Sequence, residues 1–162
     1  MTTLLFHAVA SCLVAGLPLA HAIRTPPDPC ELLTQAEAEA ILGTRIGPPT
    51  KGGSGECHYG EEGGSAEIVV YSMMLGFSSK EEFHAFVKKD TDDMNARMKK
   101  GLEKTGATVK ETAVEPVSGV GDAAYFVEPS LLVLSRGRVL NITAADRDQA
   151  VAVAQKVVPR FE

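Results

Sequence analysis

Not one Asp, Glu, Lys or Arg occurs between Met1 and Ala22; all 16 Lys and Arg and all 21 Asp and Glu come later. That absence excludes an ordinary solvated surface for this stretch, which Leu4, Leu5, Phe6, Val9, Leu13, Val14, Leu17 and Leu19 make into a long apolar run. Ala20-His21-Ala22 then supplies the small-x-small pattern of a signal-peptidase site. Residues 1–22 are therefore expected to be a signal peptide with Ala20 and Ala22 at the cleavage site. Pro18, the shortness of the run and the lack of flanking charge argue against a permanent transmembrane helix. Val9-Ala10-Ser11-Cys12 also fits a loose lipoprotein pattern with Cys12 as the lipidated residue, but the chain stays apolar through Ala20, where a lipoprotein normally turns polar.

Basic charge is scarce too. The net charge of −5 opposes non-specific binding to nucleic acid, which needs a cationic face to displace phosphate counterions. Lys99, Lys100 and Lys104 do not form such a face: they fall at the end of an amphipathic helix, where cations meet the negative end of its dipole.

Catalytic and metal motifs are equally thin. With Cys12 in the removable segment, only Cys30 and Cys57 remain, and an oxidising compartment would join them. A loop of that length is worth about 3.5 kcal/mol in the chain-entropy account. The competing assignment makes Cys30, Cys57 and His58 metal ligands, but zinc usually takes four ligands as two close-spaced pairs and no second pair exists. No Gly-x-Ser-x-Gly elbow occurs, and only His58 and His84 follow the leader. Gly119-Val120-Gly121-Asp122-Ala123-Ala124 matches a dinucleotide fingerprint in form, yet Tyr125-Phe126-Val127 continues it as a strand rather than a helix. Asp90, Asp92 and Asp93 lack the Gly and Glu of a calcium loop and lie inside a helix. Glu61 and Glu62 form a turn pair without an acid/base partner, and the formal glycosylation acceptor Asn141-Ile142-Thr143 falls on a strand.

What is present is the makeup of one globular domain: 44% hydrophobic and 23% charged residues over a chain of 162. Residues 23–29, with three prolines, read as an extended lead-in and 30–162 as a single domain. Thr34 with Glu37 makes a capping box, Leu33 a staple and Gly43 a stop for a first helix. Strands are expected at 57–60 and 66–75, joined by a glycine-rich turn at 60–64. Ser79 with Glu82 opens a second helix whose Phe83, Phe86, Val87, Met94, Met98 and Leu102 follow helical spacing. Strands follow at 108–117, 123–128, 131–135 and 139–144, the last two joined at Arg136-Gly137. Asp146 with Gln149 opens a third helix that Pro159 should end. Hairpin-length links imply an α+β fold: a mainly antiparallel sheet with three helices packed on it and one disulfide.

Asp28-Pro29-Cys30-Glu31-Leu32-Leu33-Thr34, the Glu- and Ala-rich helix ending Leu42-Gly43, Cys57-His58-Tyr59, and Val120-Gly121-Asp122-Ala123-Ala124 before a hairpin and terminal helix carry a resemblance. The chain resembles a family of small exported bacterial proteins, mainly actinobacterial and often lipoproteins, known as a domain of unknown function with a sensor-like, PsbP-like α+β layout. The resemblance covers nearly all of residues 28–158 and implies a Cys30–Cys57 disulfide, an envelope location and no enzymatic activity. It supplies no catalytic residues to transfer. The chain departs from it at Tyr59, where Trp is common, and in lacking a lipidation site with a polar linker.

These observations leave an exported module, periplasmic or secreted, with no cofactor, no metal and no nucleic-acid partner. A concave pocket between the sheet and the second helix would mark a ligand-binding or sensory role; an exposed apolar patch would mark an envelope protein partner. The exported, non-reduced protein should begin at Ile23, weigh about two mass units less than its reduced form and resist alkylation. Two freely alkylated thiols in an intact-mass measurement would refute the pairing.

Overall fold

The computed structural model describes residues 27–53, 55–60, 67–103, 108 and 110–161. The expected signal peptide with Ala20 and Ala22, the alternative lipidation site Cys12, and the turn residues Glu61 and Glu62 lie outside the described residues.

Local sequence chemistry accounts for each helix. Asp28 Oδ1 accepts from the Cys30 backbone N–H at 3.0 Å and starts α1 (Pro29–Leu32), a single turn that takes in Pro29, the last residue of the expected lead-in. Proline at its first position loses no hydrogen bond there, because that N–H has no partner inside a helix. Thr34 and Glu37 form the full capping box of α2 (Gln35–Leu42), and Gly43 closes it at φ 69°. Ser79 Oγ accepts from the Glu82 N–H to start α3 (Lys80–Leu102), while the Glu82 carboxylate accepts from Ser78. Asp146 Oδ1 accepts from the Gln149 N–H ahead of α4 (Arg147–Phe161).

Seven strands form one antiparallel sheet: β1 (Thr50–Lys51), β2 (Glu56–Gly60), β3 (Glu67–Gly76), β4 (Glu115–Val117), β5 (Ala123–Val127), β6 (Ser130–Ser135) and β7 (Arg138–Thr143). Their order is β1-β2-β3-β7-β6-β5-β4. The β6–β7 turn has positive φ at both Arg136 (48°) and Gly137 (76°), the geometry of a tight two-residue hairpin.

Alternation along the strands divides the sheet into two unequal faces. Cys57, Tyr59, Ile68, Val70, Leu131, Val133, Leu140 and Ile142 point toward α1, α2 and α4, and with Leu32, Val153, Val157 and Phe161 they form the main core. Among the described residues α3 is the helix on the opposite face, where Phe83 and Val87 pack on Leu134 and Val139. Phe77, Phe83, Phe86 and Tyr125 stack as tilted rings 5.1–5.6 Å apart along this contact.

Three expectations are corrected. Pro159 does not end the last helix, which runs to Phe161: the wholly buried Phe161 ring lies under the Arg138 guanidinium, and Arg138 Nη2 donates to its carbonyl at 2.6 Å. The apolar stripe of α3 is buried only in its first half, and Met94 and Leu102 stand 36% and 37% exposed. A 23-residue helix is about 34 Å long, whereas strands of five or six residues reach about 20 Å, so the helix overshoots the sheet. The strand expected at 108–117 is reduced to Glu115–Val117, because the Asn95 side chain both donates to the Thr112 carbonyl and accepts from the Thr112 N–H, each at 2.9 Å.

The two ends of the domain are tied together. Cys30 and Cys57 form the disulfide, Tyr59 donates to the Pro29 carbonyl, and Arg160 donates to the Leu32 carbonyl and to both Glu37 oxygens at 2.7 Å. The Arg160 guanidinium first, and the Thr34 N–H second, hold the Glu37 carboxyl at about 2 against an ordinary 4.5. A lowered folded-state pKa gives stability that is present above pH 4.5 and lost as pH falls toward 2. With Arg160 41% exposed, screening leaves about 1–2 kcal/mol. Glu37→Gln should therefore lower stability by that amount at pH 7 in urea titrations, and the gap should largely close near pH 2; an undiminished gap in acid would refute the assignment.

Candidate functional site

The sheet register places side chains of the α3 side in cross-strand rows. One row runs His58, Val69, Thr143, Ser130, Val127; the next runs Glu56, Tyr71, Asn141, Leu132, Tyr125; a third runs Met73, Val139, Leu134, Ala123. The third row and the β5 ends of the first two belong to the α3 core. Val69 and Tyr71 join neither core. A contiguous field of Glu56, His58, Glu67, Val69, Tyr71, Asn141, Thr143 and Ser130 is thus left on β2, β3, β7 and the start of β6, and all of it is half-buried.

Polar groups dominate this field. His58 Nδ1 stands 2.6 Å from Glu67 Oε1, and Nε2 stands 3.7 Å from Glu56 Oε1. The imidazole is 16% exposed and bridges neighbouring strands. Gly52 makes room beside it: a Cβ there would overlap Glu56 and come within 2.8 Å of His58 Nε2. Ser130 and Thr143 share a hydroxyl–hydroxyl hydrogen bond of 3.0 Å. Asn141 Oδ1 is buried and has no hydrogen-bond partner among the described residues. Leaving such an acceptor unpaired costs about 1–3 kcal/mol. Ser72 Oγ and Gln149 Oε1 are also unpartnered, but Ser72 shares the parity of Val70 on the main-core face and Gln149 lies on α4.

A concavity lies elsewhere, where the sheet meets the start of α3. It is a cleft of about 390 Å³ lined by Phe77, Ser79, Lys80, Asp122, Leu134 and Gly137, among others. Two of its polar side chains serve the fold: Ser79 caps α3, and Asp122 Oδ2 accepts from the Arg136 N–H at 2.7 Å.

The motifs weighed in the sequence separate cleanly. The 119–124 stretch turns into β5 with positive φ at Gly119 and Gly121, and a Cβ on Gly121 would come 2.5 Å from the Leu134 carbonyl oxygen. Asp92 and Asp93 pair with Lys88 and Lys89 one turn earlier on α3. His84 is exposed and stacks on Tyr125 at 5.0 Å. Cys30 and Cys57 are joined as expected. Among the described residues no group of three His, Cys, Asp or Glu is placed to hold a metal, and no helix is long and apolar enough to cross a membrane.

Sequence reasoning passed over Glu56, Glu67, Tyr71 and Ser130, and read Asn141 and Thr143 only as parts of a glycosylation acceptor. The available signal was polar Asn141 and Thr143 alternating with Leu140 and Ile142 in a strand that proves central.

No protein-family model, curated protein or solved structure matches this chain. The fold itself defines an α+β protein with a seven-stranded antiparallel sheet and a disulfide.

Replacing Asn141 with leucine removes the orphaned acceptor and keeps the branched shape. The variant should be as stable as the parent or about 1 kcal/mol more stable in urea titrations. A loss of more than about 1 kcal/mol would show that the amide supports the fold.

Proposed function

We propose that this chain works outside the cytoplasm as a non-enzymatic ligand-binding or sensory module, and that its ligand docks on the half-buried polar field of β2, β3 and β7. The observation that carries this reading is Asn141 Oδ1, a buried acceptor with no partner in a row that also holds Tyr71 and Glu56. Unsatisfied polar groups concentrate where stability is given up for function. Export as a bacterial envelope or secreted protein is supported by the uncharged leader ending Ala20-His21-Ala22 and by the disulfide, which persists in oxidising compartments.

A second reading, an envelope protein that acts through a protein partner, is favoured by one specific feature. Met74 is 95% exposed beside the half-exposed Leu75, where the register of β3 shifts between Met73 and Gly76. β3 runs on past Tyr71, the last residue of β2 pairing, so among the described residues this end of the strand is paired on its β7 side alone.

The two readings part in a thermal-shift screen of the exported, oxidised protein against sugars, lipids, metals and common metabolites. A ligand at one hundred times its Kd adds about 2.7 kcal/mol, which moves the midpoint of a domain this size by several degrees. A reproducible rise identifies a small-molecule binder. Silence across the screen, together with envelope proteins captured by the parent chain but not by Met74→Asp, puts the partner reading in its place.

A further inference from the structure

We propose that Met74 is an oxidative modification site, the thioether that a hydroperoxide converts to the sulfoxide first and at no cost to the fold. It stands whichever of the two readings above holds. Other sulfur in the chain is shielded to different degrees. Cys30 and Cys57 are already joined, so neither offers a thiolate to an oxidant, and Cys12 lies in the expected leader. Of the five methionines, Met1 falls in the same leader, which leaves Met73, Met74, Met94 and Met98. Met73 packs against the α3 core. Met94 is 36% exposed and Met98 is half-buried on the same stripe of α3. Met74, the immediate neighbour of the packed Met73, is 95% exposed.

Strand pairing explains the contrast between the two neighbours. β2 accompanies β3 only as far as Tyr71, while β7 pairs Val139 with Met73 and then Arg138 with Gly76. Among the described residues, therefore, neither Met74 nor Leu75 has a register partner on either side. A bulge of this kind leaves its extra residues unpaired and re-aims their side chains. Met73 keeps its place on the α3 side, and Met74 is turned into solvent.

The chemistry needs only open approach to the sulfur. A sulfur lone pair attacks one peroxide oxygen, the O–O bond breaks and an S–O bond forms. The proton on the attacked oxygen passes to the departing one, so hydrogen peroxide yields the sulfoxide and water. Sulfur gives up two electrons and the peroxide takes them. The product is polar, but at Met74 it displaces no packed neighbour; at Met73 the same oxygen would enter the α3 core.

The test treats the folded, disulfide-intact protein with substoichiometric hydrogen peroxide and follows each methionine by peptide mass mapping. Met74 should be oxidised about threefold faster than Met94, following exposures of 95% and 36%, and about tenfold or more faster than Met73. Met74→Leu should remove the fast phase and leave the slower ones unchanged. In concentrated guanidinium the rates should converge, because the fold and not the local sequence sets the order. Protein carrying the sulfoxide at Met74 alone should keep the urea midpoint of the parent. Met94 or Met98 keeping pace with Met74 overturns the proposal, as does an order that persists in guanidinium. A lowered midpoint for the singly oxidised protein also overturns it, since Met74 would then be packed in solution.

Discussion

One strand pairing holds this molecule together: β3 against β7. On one side of that seam lie β1, β2 and β3, and on the other β4 to β7, each group a run of neighbours in sequence. Only the pairing of Val69 to Met73 with Val139 to Thr143 makes them one sheet, and the paired residues are roughly seventy positions apart. The main core depends on the seam because Val70, Leu140 and Ile142 meet across it. The polar field depends on it equally, since Tyr71 comes from one group and Asn141 from the other.

The helices reinforce the seam asymmetrically. On the main-core face the disulfide fixes α1 to β2, and the Arg160 bonds to Leu32 and Glu37 close α4 onto α1 and α2. Tyr59, wholly buried with its hydroxyl on the Pro29 carbonyl, is pushed up to about 12 by burial and stays neutral at any physiological pH. On the other face α3 covers β5, β6 and the start of β7 and then leaves the sheet, its far half held by the Asn95 amide at Thr112. Among the described residues α3 reaches β3 only at Met73, and β2 has no helix packed on that side.

Much of this fold was legible in the chain because its signals are local. The capping pairs Thr34–Glu37, Ser79–Glu82 and Asp146–Gln149, the Arg136-Gly137 turn and the alternating strands depend on residues within a few positions of each other. The misreadings arose where a distant contact outweighed a local preference. Arg138 and the Leu32 carbonyl carry the last helix turn past Pro159, and the Asn95 amide replaces strand pairing at Thr112. The candidate site was nearly illegible for the same reason. Tyr71 and Asn141 are unremarkable in their own strands and acquire meaning only as register partners. His58 was visible as a residue, but its two carboxylate neighbours come from its own strand and the next.

The seam also sets an order of assembly. As the chain is made from its amino end, α1 and β2 can meet early and β2 can zip to β3, because these contacts close short loops. The exposed flank of β3 must then wait through all of α3 and two further hairpins before β7 arrives. During that interval Val69, Val70 and Tyr71 present an unpaired edge, and a pairing so distant in sequence slows collapse to the native state. The vulnerable time in the life of this protein is therefore the wait across the 61 residues that separate Gly76 from Arg138, and a holding factor that masks one strand edge would shorten the exposure without touching the finished fold.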